Sequence, residues 1–540
     1  MDVPLLVSSM IEHAAQCHGD TEIVARQVDG SIHRYTYRAA CARSKRLARV
    51  LMTLGVQAGE RIASLAWNTH HHFELFYGVS GIGAVLHTVN PRLFDKQIVY
   101  VINHAEDRTV FVDAATLGIA ERIAPDLPQV RQWVFMGAPG SMPASSLPGL
   151  LDYEVLLAGQ GELLEWPSFD ERWAASICYT SGSTGDPKGV AYSHRSAMLS
   201  AMCMSLADMI GGYVPGSLEV VMPIAAMFHG NAWQMVYSAP MNGHKLVLPG
   251  RAFEPEKILE LLVGEGVTIA AAVPTVWHSI VDHLEKESTG LGLGKLRAAM
   301  MAGARPPASL IEKLERNHGL MVSQTWGMTE ALGGTKATVA PGANDLPLEA
   351  DTLPPRRRQG RANFLVTLRL LDENGRVLPH EGMHVGHLHL RGPYVAAGYF
   401  GDVGKASFDW LDSGDLARVF ADGSIEIVDR AKDVIKSGGE WISTLQLEAG
   451  AISHPAVLYA AAVGIPHPKW QERPLLMVVC RADASVSDTE LRALVATQLA
   501  SWWMPDEIRF VTQIPLTGTG KIDKKTLRQQ LALVKLANAE

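Results

Sequence analysis

Short apolar runs alternate with helical periods through the first 360 or so residues, and this alternation constrains the fold more than any other feature of the chain. Runs such as 61–67 and 109–112 are too short for helices, whereas 38–54, stopped by Gly55, and 96–104 carry a 3.6-residue apolar period. Strands separated by helices pair in parallel and are covered by those helices, so an α/β architecture is predicted. A helical period over 5–17 and a local hairpin around Asp29-Gly30 complete the N-terminal pattern. With 540 residues, 47% of them hydrophobic, the chain exceeds one core, and two or more domains are expected.

The pattern changes near residue 364. Strand-like segments at 364–371, 387–390 and 424–428 are separated by Gly-rich turns, which predicts a small antiparallel, barrel-like unit over 364–428. After Asp429-Arg430-Ala431-Lys432 the pattern restarts as helix, strand, strand and helix. The expected division is a large N-terminal domain at 1–428, a hinge at 429–432 and a small, mobile α+β lobe at 433–540.

Composition excludes several functions. A net charge of −8 opposes nucleic-acid binding. The five scattered cysteines contain no C-x-x-C pair, which predicts neither disulfides nor zinc and suits a reducing cytoplasm. No apolar run approaches the ~18 residues of a membrane span, and no basic segment precedes an apolar stretch at the N-terminus. His380-Glu381-Gly382-Met383-His384 has H-E-x-x-H spacing, but Pro379 and Gly382 oppose the helix that would put both histidines on one face. His70-His71-His72 is expected to cap or face solvent at a helix start, and Arg356-Arg357-Arg358 to be a solvated loop.

The densest chemical signal is Thr180-Ser181-Gly182-Ser183-Thr184-Gly185-Asp186-Pro187-Lys188-Gly189, after an apolar strand-like run. Its glycines let backbone N–H groups turn toward an anion, and its hydroxyls and ammonium add donors, yet it lacks Walker spacing. Further segments follow in order: 227–233 (Met-Phe-His-Gly-Asn-Ala-Trp), 324–330 (Gln-Thr-Trp-Gly-Met-Thr-Glu), Asp412-Ser413-Gly414-Asp415, 429–443 and 515–521 (Pro-Leu-Thr-Gly-Thr-Gly-Lys). Together they resemble the adenylate-forming superfamily over nearly the whole chain. Phe228-His229, Asn231-Ala232-Trp233, 436–443 and 466–474 resemble its medium- and long-chain fatty acyl-CoA synthetases.

The resemblance implies a ligase that joins a carboxylic (fatty) acid to coenzyme A through an acyl-adenylate, using ATP and Mg²⁺, as a cytoplasmic homodimer. It implies that Thr180 and Glu330 hold the metal, that Ser181, Gly182, Ser183, Thr184, Gly185 and Lys188 hold phosphates, and that Thr329 meets the α-phosphate. Gly303, Gln324, Thr325 and Trp326 would border the nucleotide, Asp415 the ribose, and Arg430, Lys432 and Lys436 would add nucleotide contacts. Lys521 would be the catalytic lysine of adenylation. Lys432 would be the pivot that later brings Ser437, Gly438, Gly439, Glu440 and Trp441 to coenzyme A. His229, Gly230, Trp233 and Gly327 would line the acyl pocket, with Trp233 as its gate. Gly230 and Ala331-Leu332-Gly333-Gly334 depart from the family pattern toward small residues. The width they leave suits the alternative of a short, sulfur-containing or aryl acid such as 3-methylthiopropionate.

Overall fold

The structure is a computed structural model that describes residues 2–161, 165–180, 186–206, 218–286, 292–336, 358–402, 407–438, 440–482, 484–516 and 522–537. Among these residues, two seven-stranded sheets dominate. In the first, Gln132–Met136, Thr109–Asp113, Arg61–Leu65, Val85–Val89 and Ala174–Tyr179 run parallel, with Leu151–Asp152 at one edge and antiparallel Gly189–Ser193 at the other. In the second, Met321–Gln324, Ala298–Met301, Ile269–Ala272, Val220–Pro223, Lys245–Leu248 and Glu22–Arg26 are parallel, and Ile32–Thr36 closes the Asp29-Gly30 hairpin.

The strand period explains how both faces are filled. Ile23 and Ala25 enter the core shared by the two sheets, while Val24 between them packs on the outer helices of the second sheet. Helices Ser8–Cys17, Tyr37–Thr53, His70–Gly78, His194–Met204 and Met235–Asn242 contribute to that shared core. Helices Pro255–Gly264 and Pro274–Lys286 cover the second sheet from outside, and Asp95–Ala105 covers the first.

His70, His71 and His72 start a helix as expected, but they do not face solvent. Their exposures are 4%, 2% and 0%, and the cap is Thr69, whose hydroxyl accepts from the His72 N–H. Burial pulls His72 down to about 4, so it packs as a neutral ring. Arg358 also departs from expectation: it lies 3.3 Å from the Phe420 ring centroid and donates to Ser424. Arg356 and Arg357 lie outside the described residues.

Beyond residue 364 a five-stranded antiparallel sheet runs Val377–Leu378, Thr367–Leu371, Gly386–Arg391, Leu411–Val419, Ile425–Arg430. Leu411–Val419 carries Asp415 and was not legible as a strand, because Asp412-Ser413-Gly414-Asp415 reads as a turn. Residues 380–383 form bends and 384 is irregular, so the segment is not a helix. The chain then passes from Arg430 into a separate sheet at Ile435, built around the long antiparallel pair Val457–His467 and Gln471–Cys480. The junction is tied by buried charge. Asp429 accepts from the Thr444 hydroxyl at 2.7 Å, and that hydroxyl in turn accepts from the Lys524 ammonium at 2.6 Å.

Candidate active site

A cavity of ≈ 440 Å³ opens where the carboxyl ends of both large sheets converge. Four of the parallel strands deliver residues there: Arg92 after Val85–Val89, Tyr179 at the end of its strand, Ala225 after Val220–Pro223, and Gly303 after Ala298–Met301. The loop after Met321–Gln324 adds Thr325, Trp326, Gly327 and Thr329, and the segment before Met235–Asn242 adds His229, Gly230 and Trp233. Tyr459 and Leu516 reach the same cavity from the C-terminal sheet region.

Trp326 is held from behind. Its indole N–H donates to Asp415 Oδ2 at 3.0 Å, and Arg430 Nε pairs with Oδ1 at 2.9 Å. Asp415 is 2% exposed, and Trp326, to which it is bonded, lines the cavity. Gln324 does not line the cavity; its side chain accepts from Gln359, whose own carbonyl accepts from the Ile427 N–H. This amide pair links the second large sheet to the antiparallel sheet.

The hairpin around the phosphate-type loop closes on Thr180 and Lys188. The Thr180 N–H donates to the Lys188 carbonyl at 2.9 Å, and the Lys188 N–H donates to Thr180 Oγ1 at 3.2 Å. Ser181, Gly182, Ser183, Thr184 and Gly185 lie outside the described residues. Glu330, 7% exposed, accepts from the Tyr399 hydroxyl at 2.8 Å through Oε1, and no other described donor reaches its carboxylate. Burial and then the Glu330 charge push the Tyr399 phenol up, so it remains a proton donor. The hydroxyl of Thr180 and the remaining oxygen of Glu330 are hard oxygen donors, a set that fits Mg²⁺.

His229, Gly230 and Trp233 are presented by an unusual backbone. Gly230, Asn231, Ala232, Trp233 and Gln234 all have positive φ, between 50° and 68°. A left-handed turn through four non-glycine residues costs on the order of several kcal/mol. The offset is visible in Asn231, fully buried, which donates to Ser176 Oγ at 3.2 Å and so ties the turn to the strand leading into Thr180. A Cβ on Gly230 would lie 3.2 Å from Leu332 Cδ2. The two small-residue departures therefore meet, and Leu332 takes part of the width that Gly230 leaves.

Lys436, Ser437, Gly438 and Trp441 are not in the cavity. The Lys436 N–H donates to Glu472, Arg473 donates to Ser437, and the Trp441 ring lies 6.4 Å from His387 on the antiparallel sheet. Lys432 follows Arg430 in the connecting turn, exposed, with its ammonium pKa lowered by partial desolvation. Gly439 and Lys521 lie outside the described residues, and nothing is described of the Glu440 side chain. Leu516 and Ile522, which flank 517–521, form a bridge, and Leu516 is the one of the pair that lines the cavity.

Sequence reasoning missed Arg92. Its guanidinium lies 5.2 Å from the Trp67 ring centroid and 4.5 Å from that of Phe253, and no carboxylate pairs with it among the described residues. The available signal was Asn90-Pro91-Arg92 directly after a buried strand, where open α/β sheets place ligands.

The sequence profile of the AMP-binding enzyme family matches residues 11–400, and that of the AMP-binding enzyme C-terminal domain matches 446–521. The chain belongs to the AMP-binding enzyme family. It is 42% identical over 534 residues to 3-methylmercaptopropionyl-CoA ligase of Ruegeria lacuscaerulensis, covering 98% of each chain. It is 41% identical over 530 residues to medium-chain-fatty-acid–CoA ligase of Ectopseudomonas oleovorans, covering 97% of this chain and 96% of the relative. Its fold matches the anthranilate CoA ligase AuaEII bound to anthranoyl-AMP, with a TM-score of 0.85 at 24% identity and 99% of each chain covered. This AMP-binding enzyme is an acid–thiol ligase.

Proposed function

We propose that this AMP-binding enzyme activates a medium- or long-chain fatty acid as its acyl-adenylate and transfers the acyl group to coenzyme A, releasing AMP and pyrophosphate. One observation carries the reading. A single cavity is lined both by Gly303, Thr325, Trp326 and Thr329 and by the apolar side chains of Phe228, Trp233, Val276 and Met300. A nucleotide on the first wall and an acyl chain on the second would meet at Thr329 and His229.

In this reading the nucleotide base lies between Gly303 and Trp326, and Asp415 accepts from the ribose while Trp326 and Arg430 hold its carboxylate still. Thr180 and Glu330 would hold Mg²⁺, which when bound would supply charge neutralisation at the phosphates. Lys188, joined through its backbone to Thr180, meets the outer phosphates. Lys521 offsets the negative charge that builds as the acid's carboxylate approaches the α-phosphate. Tyr459 and Leu516 at the cavity, with Lys436 and Trp441 away from it, suit the adenylating pose. Rotation about Lys432, in a 429–432 hinge between domains 1–428 and 433–540, would exchange them. Arg92, cationic and flanked by aromatic rings, suits the phosphates of coenzyme A.

Leu332 beside Gly230 favours a second acid within the same chemistry. The wall it forms shortens the apolar end, which suits a compact substrate such as 3-methylmercaptopropionate. A panel of straight-chain, methylthio-substituted and aryl acids, assayed for CoA-dependent AMP release, tests both. Rising specificity across successive chain lengths is expected for the fatty-acid reading. A sharp preference for one compact acid would replace it, and AMP release without any acid dependence would refute the ligase reading of the cavity.

A further inference from the structure

Tyr399 lies between two opposite charges that the nucleotide must recruit. Its hydroxyl donates to Glu330 Oε1 at 2.8 Å, and the Lys188 ammonium stands 4.7 Å from its ring centroid. Among the described residues no ion pair joins Lys188 to Glu330 or to any other carboxylate. The segment bearing Tyr399 is stapled at both ends to the same two elements. The Ala396 N–H donates to the Glu330 carbonyl at 2.7 Å, and the Phe400 N–H donates to the Gly189 carbonyl, next to Lys188, at 2.8 Å. The fit is close, since a Cβ on Gly189 would come 3.1 Å from the Cβ of Phe400, the residue after Tyr399.

A carboxylate and an ammonium flanking a phosphate site would otherwise attract each other. A direct pair would have to be broken before either could serve a ligand. Tyr399 gives each charge a weaker partner instead: a neutral phenol for the carboxylate and a ring face for the ammonium. We propose that Tyr399 is a positioning residue that keeps Glu330 and Lys188 separated and aimed, so that both are available to a magnesium–nucleotide complex. The inference rests on the reading of Thr180, Lys188 and Glu330 as the nucleotide-phosphate and metal site. The two functions of the side chain are separable, because phenylalanine keeps the ring and leucine keeps neither ring nor hydroxyl.

The test is calorimetric binding of α,β-methylene-ATP to the full-length protein, with excess Mg²⁺ and with chelator, without acid or coenzyme A. Tyr192→Phe serves as the control, since the Tyr192 hydroxyl donates to the Thr329 carbonyl and not to a charge. Tyr399→Phe is expected to bind about tenfold more weakly with Mg²⁺ and within about twofold of the parent without it, because only the partner of Glu330 is lost. Tyr399→Leu is expected to lose a further threefold or so under both conditions, because Lys188 loses its ring. Unchanged magnesium-dependent binding in Tyr399→Phe, or an equal deficit with and without Mg²⁺, would overturn the inference; the equal deficit would make Tyr399 a packing residue. Binding to the unmodified protein that ignores Mg²⁺ would instead remove the site assignment itself. If Tyr399→Leu does not fold, the Tyr399→Phe comparison alone decides.

Discussion

Replacing Leu332 with alanine should lengthen the acyl end of the cavity. Leu332 is 4% exposed and lines the cavity with one face, while it packs on Cys178, Val190 and Tyr192 with the other. Its Cδ2 lies 3.2 Å from where a Cβ on Gly230 would be. Leu332→Ala removes three carbons, room for about three further methylene groups of substrate. At ~0.8 kcal/mol per buried methylene the ceiling is about 2.4 kcal/mol, roughly fiftyfold in relative kcat/KM between the longer acid and the original optimum. Part of the space will collapse, so a tenfold shift is the working expectation. The assay is kcat/KM over a straight-chain acid series, with KM for ATP as the internal control. The optimum should move by two or three carbons while the ATP constant holds. An unchanged chain-length profile in a folded variant would refute the assignment of Leu332 as the pocket wall. A loss of ATP affinity of similar size would mean that Leu332 supports the nucleotide side instead.

Arg481, in the C-terminal part, pairs with Asp282 and approaches His278 Nε2 at 2.9 Å on helix Pro274–Lys286, which also lines the cavity through Thr275, Val276 and Ser279. Arg481→Ala should weaken the adenylating pose by about 1 kcal/mol. That lowers the adenylation rate several-fold without slowing thioester formation from supplied acyl-adenylate; equal slowing of both half-reactions would contradict it. Lys521→Ala should reduce adenylation by several orders of magnitude and spare the thioester step, measured by the same two single-turnover reactions. Trp326→Phe keeps the ring but removes the indole N–H from Asp415. A hydrogen bond to a charged group contributes roughly 1.5–3 kcal/mol, so nucleotide binding should weaken at least tenfold, with unchanged affinity showing that Asp415 needs no such support.

The sequence by itself determined the alternation of strands and helices, the change of pattern near residue 364 and the identity of the polar motifs. These are local properties: apolar period, turn residues and short runs with defined chemistry. It also brought Thr180, Trp326, Glu330, Asp415 and Lys521 forward as candidates through family resemblance, since motif chemistry survives without knowledge of what surrounds it. Only the tertiary structure decided what those residues touch. Nothing in residues 412–415 signals a strand whose Asp415 is gripped by Trp326 and Arg430, because the grip spans 89 positions on one side. The burial of His70–His72 was equally invisible, since a helix start looks the same in sequence whether its first turn meets water or a neighbouring sheet. Tyr399 reaches Glu330 across 69 positions and Lys188 from the other side of the hairpin, and Leu332 meets Gly230 only because a left-handed turn swings that glycine toward it. Local periodicity carries elements, but long-range contacts depend on how two sheets and a third, antiparallel one are stacked, and no window of sequence contains that distance.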